Sequence, residues 1–177
     1  QRVSTHPVAL SDKEGSGALY IPVDELGVEH DASASIEKAE FAHSREELVP
    51  LRTLDSFNFS GVSLIKIDVE GHEYGVIEGA SDLLFSSRPA LLVEIEQRHS
   101  GRPIDAVFER IMGFGYQGFF QSNDALKSID EFDVAAHQSM ENFSASAGPY
   151  INNFLFLHRD RLSTGQYDAL VRGVLIK

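Results

Sequence analysis

The sequence contains no cysteine, and its basic residues are few and scattered singly. Without cysteine the chain can form no disulfide bond, thiolate nucleophile or cysteine-based metal site. There are 15 lysine and arginine residues against 27 acidic residues, a net charge of −12. Because nothing in this pattern would neutralise phosphate groups, we expect neither nucleic acid nor an anionic membrane as a partner.

Long apolar runs and the common short catalytic motifs are also missing. No run approaches the roughly 18 apolar residues of a membrane-spanning helix, and no signal-peptide pattern opens the chain. Together with the lack of cysteine, this predicts a cytoplasmic location. The sequence has no Gly-x-Gly-x-x-Gly, P-loop, Gly-x-Ser-x-Gly or His-Glu-x-x-His motif. A serine nucleophile therefore has no local support.

The pattern of apolar residues predicts a single α/β domain over residues 1–177, a length that suits one sizeable core. Strands are predicted at residues 62–69, 90–96, 116–120 and 151–158, and helices at residues 74–85 and 104–112. Shorter strands are predicted at residues 5–10 and 18–23, and a closing helix or strand at residues 166–174. Strands that alternate with helices are typical of parallel sheets with right-handed crossovers.

Two polar excursions interrupt this pattern. Residues 24–50 are acidic and are predicted to form a long loop, with a helical turn near residues 35–41. Residues 123–149 form a polar insert between two strands. Long connections of this kind are either functional or mere surface loops. We expect the second one to cover the acceptor side of a site as a partial lid, and a plain surface loop is the alternative.

The most informative stretch is residues 64–73, Leu-Ile-Lys-Ile-Asp-Val-Glu-Gly-His-Glu. In an extended strand Lys66, Asp68 and Glu70 share one face. Glu94 and Glu96 share a face of the next predicted strand. Charges at the carboxyl ends of buried strands lie where open α/β sheets bind ligands.

Several interpretations of these charges are open. Lys66 could simply pair with Glu94 and so satisfy a buried charge. His99, in the loop after the second strand, is either a general base or an ordinary loop residue, and His72 is either functional or a helix-entry residue. Hard cations take oxygen ligands such as Asp68, Glu70 and Glu94, although the run does not match a calcium-binding loop, and we predict no metal.

Six pieces of the chain, taken in order, resemble the FkbM-type methyltransferases. They are Thr53-Leu54-Asp55, residues 65–73, residues 76–80 (Val-Ile-Glu-Gly-Ala), residues 89–94 (Pro-Ala-Leu-Leu-Val-Glu), residues 151–156, and residues 6–12 followed by Gly15. The resemblance implies an S-adenosylmethionine-dependent O-methyltransferase on a Rossmann-like class I methyltransferase sheet. Its acceptor would be a hydroxyl of a sugar, a polyketide or a similar small molecule.

The resemblance also implies roles for individual residues. Asp68 would end the fourth strand of the domain, beside the sulfonium methyl group and the acceptor. Ala9, Leu10, Ser11 and Asp12 would end the third strand near the adenine, with Ser11 or Asp12 bonding its amino group. Asp68, Glu70 or His99 would take the proton of the acceptor hydroxyl.

One part of the family pattern has no counterpart in the chain. The glycine-rich loop of the first strand and the acidic residue that ends the second strand are not found. We therefore expect the first two strands of the sheet to be missing and these 177 residues to bind the cofactor weakly or not at all. The strand at residues 62–69 would then be an exposed edge, and we expect either that it pairs with a second copy or another segment or that the chain was cut from a larger folded protein. The alternatives to an enzyme of this family are a non-catalytic interaction domain that has lost the cofactor half and a metal-dependent hydrolase.

Overall fold

A computed structural model of the protein describes residues 3–38, 43–123, 125–143 and 150–171, and it shows a mixed α/β architecture with two sheets. The strands are β1 (Ala9–Leu10), β2 (Gly15–Pro22), β3 (Ser44–Arg52), β4 (Leu64–Ile67), β5 (Ala90–Glu94), β6 (Tyr116–Ser122), β7 (Ala125–Ser128) and β8 (Asn153–His158). The α-helices are α1 (Glu73–Glu78), α2 (Ser81–Ser87), α3 (Asp105–Gly113), α4 (Val134–His137), α5 (Met140–Phe143), α6 (Arg159–Ser163) and α7 (Asp168–Val171). None of the helices in the described ranges is long and apolar enough to cross a membrane.

The larger sheet has the strand order β4-β5-β8-β6-β7. β4 and β5 are parallel and are joined through α1 and α2, as the sequence predicts. β6 also runs in the same direction as β5, but the sheet is mixed, because β8 lies between β5 and β6 and is antiparallel to both. β8 is almost entirely buried, which suits a central strand, but an apolar pattern does not reveal which neighbours a strand will take.

The smaller sheet, of order β1-β3-β2, corrects the prediction for residues 24–50. β3 occupies part of the predicted loop and pairs with β2 over its whole length. Most of β3 is exposed, so the apolar alternation that marks a half-buried strand is absent from its sequence. A 3₁₀ turn lies at Asp31–Ser33 rather than at residues 35–41, of which residues 39–41 fall outside the described part. β1 is also shorter than the predicted strand at residues 5–10.

The helix predicted at residues 74–85 is broken into α1 and α2 at Gly79 and Ala80. The Asp55 carboxylate accepts hydrogen bonds from the backbone N–H groups of Asp82 and Leu83, both at 2.9 Å, and so caps α2. Gly79 lies against the backbone of Ser11, where a Cβ atom would approach the Ser11 carbonyl oxygen to 2.1 Å. The break therefore lets two distant loops pack against the start of α2.

The polar insert at residues 123–149 contains β7, a 3₁₀ turn at Ile129–Glu131, α4 and α5. Residues 124 and 144–149 of this insert lie outside the described part of the chain, as do residues 172–174 of the predicted closing element. The described part of that closing element contains α7.

The core lies between the larger sheet and helices α1 to α3. Tyr116 is fully buried there, and its hydroxyl has no hydrogen-bond partner among the described residues. Burial raises the pKa of this phenol well above its ordinary value.

Removal of the Tyr116 hydroxyl tests whether this group is buried without a hydrogen-bond partner. An unpaired buried polar group costs about 1–3 kcal/mol, so we expect Tyr116→Phe to leave the free energy of unfolding unchanged or to raise it by about 1 kcal/mol. Chemical denaturation measures the difference. A loss of more than about 1 kcal/mol would show that the hydroxyl has a bonding partner after all.

Candidate functional site

The carboxyl ends of β4 and β5 bring the predicted charges together. Lys66 Nζ lies 3.3 Å from Glu94 Oε2 and 3.2 Å from Asp68 Oδ2. The predicted Lys66–Glu94 pair is thus confirmed. Asp68 and Glu70 line a small pocket together with Glu94, Glu96 and His99, as predicted, although both residues lie beyond the end of β4 and not along the strand.

Two of these carboxylates are held by fixed hydrogen-bond donors. Asn152 Nδ2 donates to Glu94 Oε1 at 2.7 Å and to Glu96 Oε1 at 3.2 Å. Tyr150 and Arg98 both donate to Glu96 Oε2. Burial alone would raise the pKa of Glu96, but the bonds from Arg98, Tyr150 and Asn152 hold it below its ordinary value. Glu94 and Glu96 therefore build the wall of the pocket, and Glu96, with its lowered pKa, is a poor proton acceptor.

Glu70 and His99 form a different kind of pair. The Glu70 backbone is left-handed, with φ of 50°, so its side chain turns away from the line of β4. His99 Nε2 lies 3.5 Å from Glu70 Oε2 and 4.0 Å from Glu96 Oε2. Burial raises the pKa of Glu70, against the opposing charge of His99, and the neighbouring carboxylates raise it further. A carboxylate with a raised pKa next to an imidazole is suited to accept a proton.

Gly71 fixes the distance between these two residues. Its φ is 100°, and a Cβ atom on it would lie 2.2 Å from the backbone oxygen of His99. The missing side chain lets the turn after β4 rest on the loop after β5. Buried Glu73 also supports the turn, because its carboxylate accepts a hydrogen bond of 2.9 Å from the Gly71 N–H.

His72 has a role that the sequence did not reveal. Its Nε2 lies 3.0 Å from Ser11 Oγ, and its Nδ1 lies 2.6 Å from Glu37 Oε1. Ser35 Oγ donates to the Glu70 carbonyl at 2.7 Å, so the first polar excursion, residues 24–50, is attached to the turn after β4 at two points. Because these residues are distant in sequence, no local signal could have identified Ser35 and Glu37.

Ser11, His72 and Glu37 are the residue types of a hydrolytic triad. However, Ser11 is only 1% exposed, and its hydroxyl donates to Asp12 Oδ1 at 3.0 Å. A nucleophile must be accessible and must pass its proton to the imidazole. Ser11, His72 and Glu37 are therefore not a catalytic triad, and their hydrogen bonds link residues 24–50 to the core.

The five residues predicted to bind a cofactor line two cavities. Ala9, Leu10 and Asp68 line a cavity of about 270 Å³. Ser11 and Asp12 line a second cavity of about 390 Å³. His72 and Ile36 line both cavities and separate them.

Gly75 allows His72 to occupy this position, since a Cβ atom on it would lie 2.3 Å from His72 Nε2. We expect Gly75→Ala to displace the imidazole and to lower the free energy of unfolding by about 1–3 kcal/mol, the usual cost of overpacking. Gly113→Ala is the matched control, because a Cβ atom there meets nothing within 4 Å. In a helix that change should stabilise by up to about 1 kcal/mol. Equal effects in chemical denaturation would contradict the assigned contact.

No group of three or more histidine, aspartate or glutamate side chains in the described ranges is arranged to hold a metal ion. The hydrolase alternative, which needs such a group, therefore has no geometric support among these residues.

The chain was compared with curated proteins, solved structures and family models, and the family models agree with the resemblance in the sequence. A search of curated proteins finds no significant match. A solved structure described as methyltransferase FkbM from Methylobacillus flagellatus KT is similar at 16% sequence identity and a TM-score of 0.41. That match covers 62% of this chain and only 23% of the other chain, and so has no bearing on function. The family model described as the methyltransferase FkbM domain matches residues 1–143. Because this match spans most of the chain, the protein belongs to the FkbM methyltransferase family.

Proposed function

We propose that this chain is part of an S-adenosylmethionine-dependent O-methyltransferase that acts on a hydroxyl of a small molecule or a sugar. The observation that supports this most is the position of Asp68. It lines both the 270 Å³ cavity with Ala9 and Leu10 and the carboxylate pocket with Glu70 and His99. A methyl transfer needs this arrangement, because the donor and the proton acceptor must lie on either side of the reacting oxygen.

The 270 Å³ cavity fits part of the cofactor. Its wall is largely apolar, with Val8, Ala9, Leu10 and Val69, and Asp68 lies at its border. Its volume is just below the usual range for a drug-sized ligand, which suits the adenosyl portion alone. Ser11 and Asp12, which the resemblance places near the adenine amino group, line the neighbouring cavity instead, and the buried Ser11 hydroxyl already donates to Asp12.

The residues that line this cavity include no lysine or arginine for the methionine carboxylate. We propose that further strands of a Rossmann-like class I sheet supply that group by adding to the open edge of β4. In the described part of the chain β4 pairs only with β5, and Leu64 is 58% exposed. The isolated 177-residue chain would then bind the cofactor weakly or not at all.

S-adenosylmethionine supplies an electrophilic methyl group. The residues of this chain hold the acceptor and remove its proton. Asp68 orients the acceptor hydroxyl by accepting its hydrogen bond. While the acceptor oxygen takes the methyl group from the sulfonium, Asp68 would pass the hydroxyl proton on to the Glu70–His99 pair, which lines the same pocket.

Thermal unfolding of the full-length protein tests this proposal against the hydrolase alternative. We expect S-adenosylhomocysteine to raise the melting temperature and magnesium to leave it unchanged. A rise with magnesium alone would overturn the methyltransferase proposal. A non-catalytic interaction domain would respond to neither ligand.

The exposed edge of β4 favours that interaction domain as a second candidate, because an unpaired edge strand is a template for pairing with another chain. Sedimentation of the 177-residue chain would then show a concentration-dependent dimer. A monomer at all concentrations would count against this candidate.

A further inference from the structure

We propose that Gln138 is a positioning residue for the Glu70–His99 pair. It lies directly after α4 in the polar insert and holds the loop that follows β5. The proposal rests on the proposed function only in taking this pair as the proton acceptor. The positioning itself follows from hydrogen bonds in the described part of the chain.

The side-chain amide of Gln138 makes three hydrogen bonds to the backbone. Its Oε1 accepts from the Gln97 N–H at 2.8 Å. Its Nε2 donates to the carbonyl oxygens of Ile95 at 2.7 Å and Ile151 at 2.9 Å. The backbone is thus held on both sides of Glu96, and only a residue with both an acceptor and two donors can make all three bonds.

The held backbone leads directly to His99. The His99 N–H donates to the Glu96 carbonyl at 3.1 Å, which closes a tight turn. The other end of the loop is fixed by the side chain of Gln97, which bonds the Arg102 carbonyl at 3.0 Å and the Ile104 N–H at 3.1 Å. The His99 carbonyl rests against Gly71. A shift of residues 95–97 would therefore move His99 relative to Glu70.

The insert that carries Gln138 is itself tied to the rest of the fold. The Ile151 N–H, outside the insert, donates to the His137 carbonyl at 2.9 Å, and within the insert Asn142 Nδ2 donates to the Ala136 carbonyl at 2.6 Å. The ring of Phe143 lies 4.5 Å from the guanidinium carbon of Arg98, in the same loop as His99. A change in the conformation of the insert would therefore shift the loop that carries His99.

Two variants and a control test this role. Gln138→Glu removes both N–H donors at constant size, and Gln138→Met removes all three bonds without adding charge. Gln121→Glu makes the same chemical change at an exposed position of β6. The measurements are amide hydrogen exchange at Gln97, the imidazole chemical shifts of His99 at fixed pH, and the melting temperature.

We expect Gln138→Met, which removes the acceptor of the Gln97 N–H, to speed exchange at Gln97 by at least about tenfold, and both variants to change the imidazole shifts of His99. The buried imidazole of His158, in β8, should not respond, and Gln121→Glu should match the parent chain. A lower melting temperature with unchanged His99 shifts would overturn the proposal, since Gln138 would then support only the fold. Unchanged exchange at Gln97, or a chain that both substitutions unfold, would overturn it too. Because no cofactor or acceptor is present, a failure of the proposed function would appear separately, as lack of methyl transfer.

Discussion

Replacement of Asp68 by asparagine in the full-length protein is expected to lower methyl-transfer turnover by roughly 100-fold or more. Asp68 is the carboxylate that borders both the apolar cavity and the pocket of Glu70 and His99. The amide keeps the size of the side chain but loses the charge that pairs with Lys66 and that, in the proposed reaction, would accept the hydroxyl hydrogen. Turnover at saturating cofactor and acceptor is the measurement.

Asp105→Asn is the control for this change, because Asp105 is exposed at the start of α3, away from both cavities. It should retain the parent turnover. Affinity for S-adenosylhomocysteine should change much less than turnover in Asp68→Asn. Parent-like turnover in Asp68→Asn would remove Asp68 from the reaction, and a chain that no longer folds would place it in the structure instead.

Gly71→Ala is expected to destabilise the protein by about 3 kcal/mol, through two effects at one position. The backbone there has φ of 100°, which side chains other than that of glycine rarely tolerate. The new Cβ atom would also lie 2.2 Å from the backbone oxygen of His99, and backbone cannot move aside as a flexible side chain can.

Chemical denaturation of Gly71→Ala and Gly101→Ala separates these effects from a general cost of replacing glycine. A Cβ atom on Gly101 meets nothing within 4 Å, so that variant should stay within about 1 kcal/mol of the parent. Similar losses in both variants would contradict the close contact between the two loops.

The centre of the site was predictable because its pattern is local. Period-two spacing predicts Lys66 and Asp68 on one side of the chain at the end of β4, and the apolar run of β5 indicates a buried parallel partner. From these two facts the contact between Lys66 and Glu94 follows. The roles of Asp68, Glu70 and His99 stay predictions.

The supports of the site were not predictable, because they depend on which distant segments meet. The contact of His72 with Glu37 joins the turn after β4 to residues 24–50, which the sequence predicts to be a loop. Gln138, in the polar insert at residues 123–149, bonds the loop that follows β5. β3 was missed because it is mostly exposed and mixes charged and apolar residues, so no single face of the strand is marked as buried. Hydrogen bonds across such distances leave no periodic mark in a sequence.

Titration of S-adenosylhomocysteine into the isotopically labelled full-length protein tests the central claim most directly. The methyltransferase site predicts saturable chemical-shift changes at the amides of Ala9, Leu10, Asp68 and Val69, with no response along β6 and β7. Absence of binding, or shifts confined to β6 and β7, would contradict a cofactor site at the carboxyl end of β4.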